Sequence, residues 1–550
     1  MDNLLDNGYK VYLAILFMCG ITVFFGDHTV SNLDMYFKHG KKRGPEEYIY
    51  ECNQDVHMGF HRLAINGLQK ESSQPLHFKQ YVMVCNGEIY NYQELIQKYG
   101  FQMETKSDCE VILKLYDLLK EKCLDELDGE FAFVIHDLST NDVFAARDPF
   151  GVRPLYINQV KDSFCLSSDL LPMKFVTLKD VKQFPPGHYS LFKKTFWSYV
   201  QESVRYHRIQ PVNSSSYESS KDNPYKTIYT ALCDAVKKRV VTSERPVACL
   251  LSGGLDSSVV AALAARFYAS QGKTLETFSI GLEGSEDLKH SSKVAQHIGS
   301  KHTQIICTED EFYHSIPHVI RDIESYDTTT VRASVGNWKV AEYIRENSEA
   351  KVVLNGDGAD ELMGGYLYFH ACPDKEVFDE ECRRLLHNIH FFDVLRSDKS
   401  VASHGLEPRT PYLDKAFVDA YLSLPSEERF QPGKIEKNVI RTIISTFDPS
   451  LIPQDILFRR KEAFSDGVSG LQTSWYQMIQ NRVPNEMLEY PDIVNRPTTP
   501  EQQYYRLLFH KFHKDCDHLV PYFWMPRFID AKDASARTLS LYKVTDTLDE

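Results

Sequence analysis

Several absences narrow the reading of this 550-residue chain. Its twelve cysteines include no C-x-x-C pair, which argues against a zinc ribbon or a disulfide framework and favours a reducing compartment. Positive charge is in short supply: 62 Lys and Arg against 76 Asp and Glu leave a formal net charge of −14. That balance speaks against a duplex-binding surface, and no nucleic-acid partner is expected. The short cluster Lys41-Lys42-Arg43 does not alter this and reads as a solvated surface turn. The apolar run Val11 to Phe25 falls short of the ~20 residues of a bilayer span. Asp2, Asp6 and a single base, Lys10, precede it, so the positive start of a signal peptide is missing too. Its second half reads as a buried strand, and a cytoplasmic protein with no membrane partner is expected. There is also no Walker A loop: Gly272-Lys273-Thr274 has Phe267 where the first glycine belongs. No internal repeat is evident.

The length calls for about two to four domains. An apolar share of 43% with 25% charged residues is ordinary for a globular protein. The serine-rich, proline-bounded stretch 210–224 is the best linker. Before it, short β-rich runs alternate with turns: Tyr81–Cys85, Phe131–His136, Val143–Ala146 and Phe164–Ser167. The second and third of these read as a hairpin around Ser139-Thr140-Asn141-Asp142. Val111, Ile112, Leu115, Leu118 and Leu119 share one helical face, with Ser107-x-x-Glu110 as a capping box and Asp108 in the first turn. After the linker, strands Val247–Leu251, Thr277–Gly281, His302–Ile306 and Lys351–Leu354 alternate with helices, which indicates a parallel α/β sheet. From about Pro373 to Phe528 the chain looks mainly helical, and the last twenty or so residues read as a loose tail.

Ser252-Gly253-Gly254-Leu255-Asp256-Ser257-Ser258 follows the first of those strands and precedes a helical stretch. Adjacent glycines admit close approach of a ligand, and a helix N-terminus offers unpaired N–H groups at its positive end. The loop suits pyrophosphate, although an ordinary Gly-Gly turn fits the same residues. The heptad resembles the PP-loop of ATP pyrophosphatases. In the other half, Met18-Cys19-Gly20-Ile21, Gly59-Phe60-His61-Arg62-Leu63 and Asn86-Gly87-Glu88-Ile89-Tyr90-Asn91 resemble the class II glutamine amidotransferases, N-terminal nucleophile hydrolases. Tyr326 to Ser334, Arg459 to Gly467, Trp524-Met525-Pro526 and Ser535 to Leu539 extend the likeness over nearly the whole chain to the glutamine-hydrolysing asparagine synthetases of animal type.

That resemblance implies a multidomain α/β fold: an N-terminal Ntn-hydrolase αββα sandwich and a parallel PP-loop domain. The expected boundaries are an extension at 1–18 that is absent or removed, a glutaminase domain at 19–209, the linker, a synthetase domain at 225–530 and a tail at 531–550. It also implies the site. Cys19 would be the nucleophile, its thiol proton taken by its own α-amine, which titrates near ~8. The Asn86 amide and the Gly87 N–H would form an oxyanion hole, each donor typically worth ~3 kcal/mol. Arg62 would pair with the glutamine carboxylate, and Asp108 with Glu88 would hold the ammonium. ATP would lie with its phosphates on Ser252, Gly253, Gly254, Leu255, Asp256, Ser257 and Ser258 and its adenosine near Leu250, Ile280, Asn355 and Gly356. Asp256 and Asp360 would hold Mg²⁺, Thr330 and Arg332 aspartate, and Lys461 the phosphate charge of a β-aspartyl-AMP-forming step. Ammonia would pass between the two sites. Glutamine, aspartate and ATP are thus the expected partners, with a homodimer left open. Lys461 also fits a solvated face, and Arg332 an ion pair at a helix start.

Two departures qualify the likeness. Residues 1–17 precede Met18-Cys19, and inside a chain the Cys19 nitrogen is an amide that cannot act as a base. Initiation at Met18 is the expectation. The loop Asn355-Gly356-Asp357-Gly358-Ala359-Asp360-Glu361 stands where Ser-Gly-Glu-Gly-Ser-Asp-Glu is usual in the family, so Asp357 shortens a catalytic carboxylate by about 1.5 Å, one C–C bond. Retained but altered activity is expected. A silent homologue is the alternative that these two features keep open. β-Lactam synthetase-like cyclases share both halves, but the Cys19 nucleophile and Arg459–Gly467 weigh against them. GMP and NAD synthetases lack this N-terminal half.

Overall fold

The computed structural model describes residues 19–26, 32–195, 198–209, 223–470, 473–484 and 493–544. The expected extension at 1–18, most of the expected linker and the last six residues lie outside these. Among the described residues the first half supplies twelve strands: β1 (Gly20–Phe25), β2 (Glu47–Asn53), β3 (Val56–Arg62), β4 (Leu76–Phe78), β5 (Tyr81–Ile89), β6 (Gly129–Asp137), β7 (Val143–Arg147), β8 (Tyr156–Val160), β9 (Ser163–Ser167), β10 (Lys182–Gln183), β11 (His188–Lys194) and β12 (Tyr199–Arg205). They form two six-stranded antiparallel sheets, ordered β10-β8-β9-β1-β3-β2 and β12-β11-β7-β6-β5-β4. Ile21, Val23 and Phe25 face Val82, Val84, Ala132 and Val134 in the core between them, as two-residue alternation dictates.

The outer face of the second sheet (Met83, Cys85, Phe133) is covered by the helix Glu110–Leu119 through Val111, Ile112 and Leu115. That helix has no side-chain cap, so the expected capping box is not formed. Glu110 instead folds back to accept from the Glu104 and Thr105 amides at 2.9 and 2.7 Å, and Asp108 lies just ahead of the first turn. The outer face of the first sheet (Phe24) and the short helix Leu33–Phe37 join a core with Ile316, Ile320 and Val401 of the second half. The halves therefore share an apolar interface.

The second half is built on β13 (Val247–Leu250), β14 (Glu276–Leu282), β15 (Lys301–Cys307), β16 (Val352–Leu354) and β17 (Glu407–Arg409), all parallel in the order β15-β14-β13-β16-β17. Helices Pro224–Val241 and Leu255–Ser270 pack on one face, Glu309–Ile323 and Thr328–Asn347 on the other. The α/β architecture inferred from the strand–helix alternation is therefore present, and the first of these helices starts inside the expected linker, capped by Asn223. Two expectations fail here. Arg43 is not in a solvated turn: it is 2% exposed and meets Asp398 at 2.7 Å, because it faces the other domain. Nor is 531–542 a loose tail, since Asp533, Ser535 and Arg537 all bond to the domain body.

Candidate active sites

In the N-terminal domain, β1 brings Cys19 alongside the end of β3. Its half-buried Sγ donates to the Leu63 carbonyl and accepts from the Leu63 N–H, both at 3.2 Å. Burial pushes the thiol pKa up, so the sulfur rests protonated and needs a base. Arg62, one residue back, is turned into the loop 67–73: it donates to the Gly67 and Gln69 carbonyls at 2.6 and 2.9 Å and to the Ser73 hydroxyl at 2.9 Å. Asn86 and Gly87 lie at the end of β5. The Asn86 amide is 3.5 Å from the Ser168 hydroxyl, which also accepts from Ile21 N. A Cβ on Gly87 would fall 2.6 Å from Phe131 Cα, so the close approach of β6 accounts for the glycine. Glu88 and Asp108 are buried. Asp108 accepts from Ile89 N at 2.7 Å, and burial lifts its carboxyl to about 6. Glu88 takes the Asn66 amide at 2.6 Å and the Arg409 guanidinium at 3.3 Å, and burial with nearby Asp108 raises it as well.

The second site is a cleft of about 1370 Å³ at the carboxyl ends of β13, β14 and β16, where parallel sheets bind ligands. Ser252, Gly254, Leu255, Asp256 and Ser257 line it, with Leu250, Ile280, Asn355 and Gly356. Gly253 makes the turn at φ +75°, and a Cβ there would press on the Ser291 nitrogen and sit 2.6 Å from His290 Cβ. The helix beginning at Leu255 has no side-chain cap, which leaves its first N–H groups to the cleft. Ser258 does not line the cleft: it is fully buried and its hydroxyl has no hydrogen-bond partner. Asp256 and Asp360 converge from two loops. Lys437 Nζ bridges them at 2.6 Å each, and Lys461 Nζ reaches Asp360 at 2.5 Å. Burial alone would raise the Asp360 carboxyl, but the two ammoniums hold it well below the carboxylate range. Burial likewise favours neutral Lys461, and Asp360 and Asp256 outweigh it. Asp256 Oδ1 is buried without a hydrogen-bond partner. Among the described residues no cluster of three metal-ligating side chains exists. Two carboxylates with one orphaned oxygen fit a cation whose other ligands are phosphate oxygens and water.

Asp357 lines the same cleft, its Oδ1 held by Arg396 Nη2 at 2.9 Å, and burial raises its carboxyl. Thr330 is also there, capped by Asp327 at 2.9 Å. Arg332 is not. It stands in the second turn of its helix with Nε and Nη2 on Glu501 at 2.8 and 2.6 Å, Nη1 on Asp533 at 2.7 Å, and its face on Tyr476. Both sides of the guanidinium fork are occupied by carboxylates, the ion pair that the sequence also allowed, and neither is turned to the cleft. Lys437 and Arg396 were missed by sequence reasoning. Neither belongs to a glycine-rich or nucleophile motif, and their convergence on Asp360 and Asp357 exists only in three dimensions.

A family model for the glutamine amidotransferase domain matches residues 18–223. One for asparagine synthase matches 227–377 and 371–507. The asparagine synthetase [glutamine-hydrolyzing] of Pongo abelii is 40% identical over 562 residues, covering 96% of this chain and 99% of that one. The protein of the same name from Gallus gallus is 39% identical over 566 residues, with the same coverage. Among solved structures, a glutamine PRPP amidotransferase from B. subtilis aligns with 47% of this chain and 65% of that one at 21% identity and a TM-score of 0.30. Two domains matched in this order, with likeness running almost end to end, place the chain in the family of the glutamine-hydrolysing asparagine synthetases.

Proposed function

We propose that the chain makes asparagine from aspartate, ATP and glutamine. In the first pocket the Cys19 thiolate attacks the glutamine amide carbon, ammonia leaves, and water hydrolyses the thioester to glutamate. Arg62 would take the α-carboxylate, Asp108 and Glu88 the ammonium, and Asn86 with Gly87 the oxyanion. In the cleft the aspartate β-carboxylate attacks the α-phosphorus of ATP and pyrophosphate departs. Ammonia then displaces AMP from β-aspartyl-AMP, losing one proton. Ser252 to Ser257 would cradle the phosphates and Thr330 would face aspartate. Lys461 and Lys437 would balance the departing charge. Asp357 would orient the ammonia or take its proton. Mg²⁺ held by Asp256 and Asp360 would supply charge neutralisation on the phosphates.

The observation that carries this reading is the convergence of Asp256, Asp360, Lys437 and Lys461 on a glycine-turned helix start. Two anions and two cations at that point suit a metal-bound polyphosphate. The glutaminase step also needs a free amine on Cys19, which mass spectrometry of the N-terminus checks. The decisive assay follows AMP, pyrophosphate and asparagine with glutamine or ammonium as donor. Cys19→Ala should abolish glutamine-driven synthesis and spare ammonium-driven synthesis. No AMP under any condition would sink the proposal.

A further inference from the structure

Trp524-Met525-Pro526 and Ser535 to Leu539 were singled out in the sequence yet take no part in the chemistry above, and Arg332 lies away from the cleft. All three belong to one assembly around Lys461. Lys461 stands near the start of the segment 459–470, whose ends are tied to the α/β body. Arg459 Nη1 donates to the Gly253 carbonyl at 3.1 Å. At the other end the Gly467 carbonyl accepts from the Ser285 hydroxyl, and the Val468 carbonyl from Leu282 N, both at 2.7 Å. Between these ties, both acidic side chains of the segment are held by the C-terminal stretch. Arg537 Nε donates to Glu462 Oε1 at 2.7 Å and its Nη1 to the Gly470 carbonyl at 2.9 Å, while the Ser535 hydroxyl donates to Asp466 Oδ1 at 2.7 Å. The stretch is itself anchored. Asp533 closes on Arg332 at 2.7 and 2.9 Å, and Trp524 N donates to Asp327 Oδ1 at 2.7 Å.

We infer that Arg537 and Ser535 are positioning residues: through Glu462 and Asp466 they fix the segment that delivers Lys461 to Asp360, with the Arg332–Asp533 pair as the fixed point of the strap. This rests on the phosphate role proposed for Lys461. The chemistry is specific. Glu462 is the neighbour of Lys461 and lines the cleft. Freed from Arg537, its carboxylate would compete with Asp360 for the ammonium and repel incoming phosphate. Arg537 also bridges two points of the segment at once, a planar two-sided grip that a lysine cannot copy.

The test compares ammonium-driven asparagine formation, glutamine hydrolysis and tryptic cleavage after Arg459, Arg460 and Lys461 in the full chain. Displacement of a catalytic group by ~1 Å costs up to ~100-fold, so Arg537→Ala should lower kcat for synthesis about tenfold or more. Glutamine hydrolysis should stay within twofold and cleavage in the segment should accelerate. Adding Glu462→Gln should restore part of the lost rate, because the competing charge is gone. Arg537→Lys should fall between. If Arg537→Ala does not fold, Ser535→Ala removes one hydroxyl and should move the same readouts severalfold. Unchanged synthesis, or equal loss of both activities, would overturn the inference. Lys461→Met is run alongside: if it still makes asparagine, the role of Lys461 is wrong, whereas faster cleavage in Arg537→Ala reports the strap independently.

Discussion

Two buried carboxyls carry opposite demands. In the role proposed for it Asp108 must be ionised to hold an ammonium, yet burial lifts it to about 6, against the pull of Ile89 N. Above that value it is charged, as the proposed glutamine contact requires; below it the proton returns. On the acid limb set by the Cys19 α-amine near ~8, the kcat/KM for glutamate release should therefore steepen by a further tenfold per unit beneath pH 6. Glu88, raised by burial and by nearby Asp108, interacts with it, so the titration belongs to the cluster. Asp108→Asn should lose most of the activity and flatten the limb, and an unchanged pH profile would exclude this role. Asp357 is the other case. Burial raises its carboxyl while Arg396, gripping it at 2.9 Å, pulls the other way, and in the proposed role it is a base on a short arm. Asp357→Glu extends that arm, and the kcat of ammonium-driven synthesis should shift severalfold or more, since ~1 Å is worth up to ~100-fold. Identical steady-state rates would remove the carboxylate's reach from the mechanism.

At the scale of elements, the β13 turn is the part on which the cleft depends most. Gly253→Ala puts a side chain at φ +75° and against the Ser291 nitrogen. The strain alone should cost about 1–3 kcal/mol, and the displaced loop should raise the KM for ATP while leaving that for glutamine unaltered. Unfolding in urea and the two KM values decide it. This element was legible from its residues because strand, glycine pair and helix follow one another directly. The same holds for the hairpin β6–β7 and for the parallel strands, whose apolar runs reflect burial on both faces. The capping box was not, because Ser107-x-x-Glu110 has the right spacing while Glu110 finds better donors at Glu104 and Thr105. The partners of Arg332 were hidden for a related reason: its position in a motif says nothing of Glu501 and Asp533, which arrive from 169 and 201 residues away. Lys437 left no signal in the sequence at all. It precedes an apolar helix and acquires meaning only when Asp256 and Asp360 close around it.

On the scale of the whole molecule, charge decides how the two domains meet. Asp398 of the second domain is 1% exposed and pairs with Arg43 at 2.7 Å and Arg153 at 3.3 Å, both from the first. Glu130 answers from the first domain, meeting Arg239 at 3.0 Å and Arg153 at 3.4 Å. A few steps along, Arg409 joins the two sites: its guanidinium reaches Glu88, and its carbonyl accepts from Asn355 N at the base of the Asp357 loop. Such buried ions add little net stability when complete, but removing one partner strands the others in a dry interior, at a cost of about 3–5 kcal/mol. Asp398→Asn leaves two buried guanidiniums short of a countercharge. Calorimetry should then find a lower melting temperature and two resolved transitions where the parent gives one. The chemistry should change with it. If ammonia travels through this interface, a loosened seam lets it escape, and glutamate released per asparagine formed should rise above one while ammonium-driven synthesis at saturation holds. A ratio that stays at one alongside the split melting curve would mean that nitrogen reaches the cleft by another route.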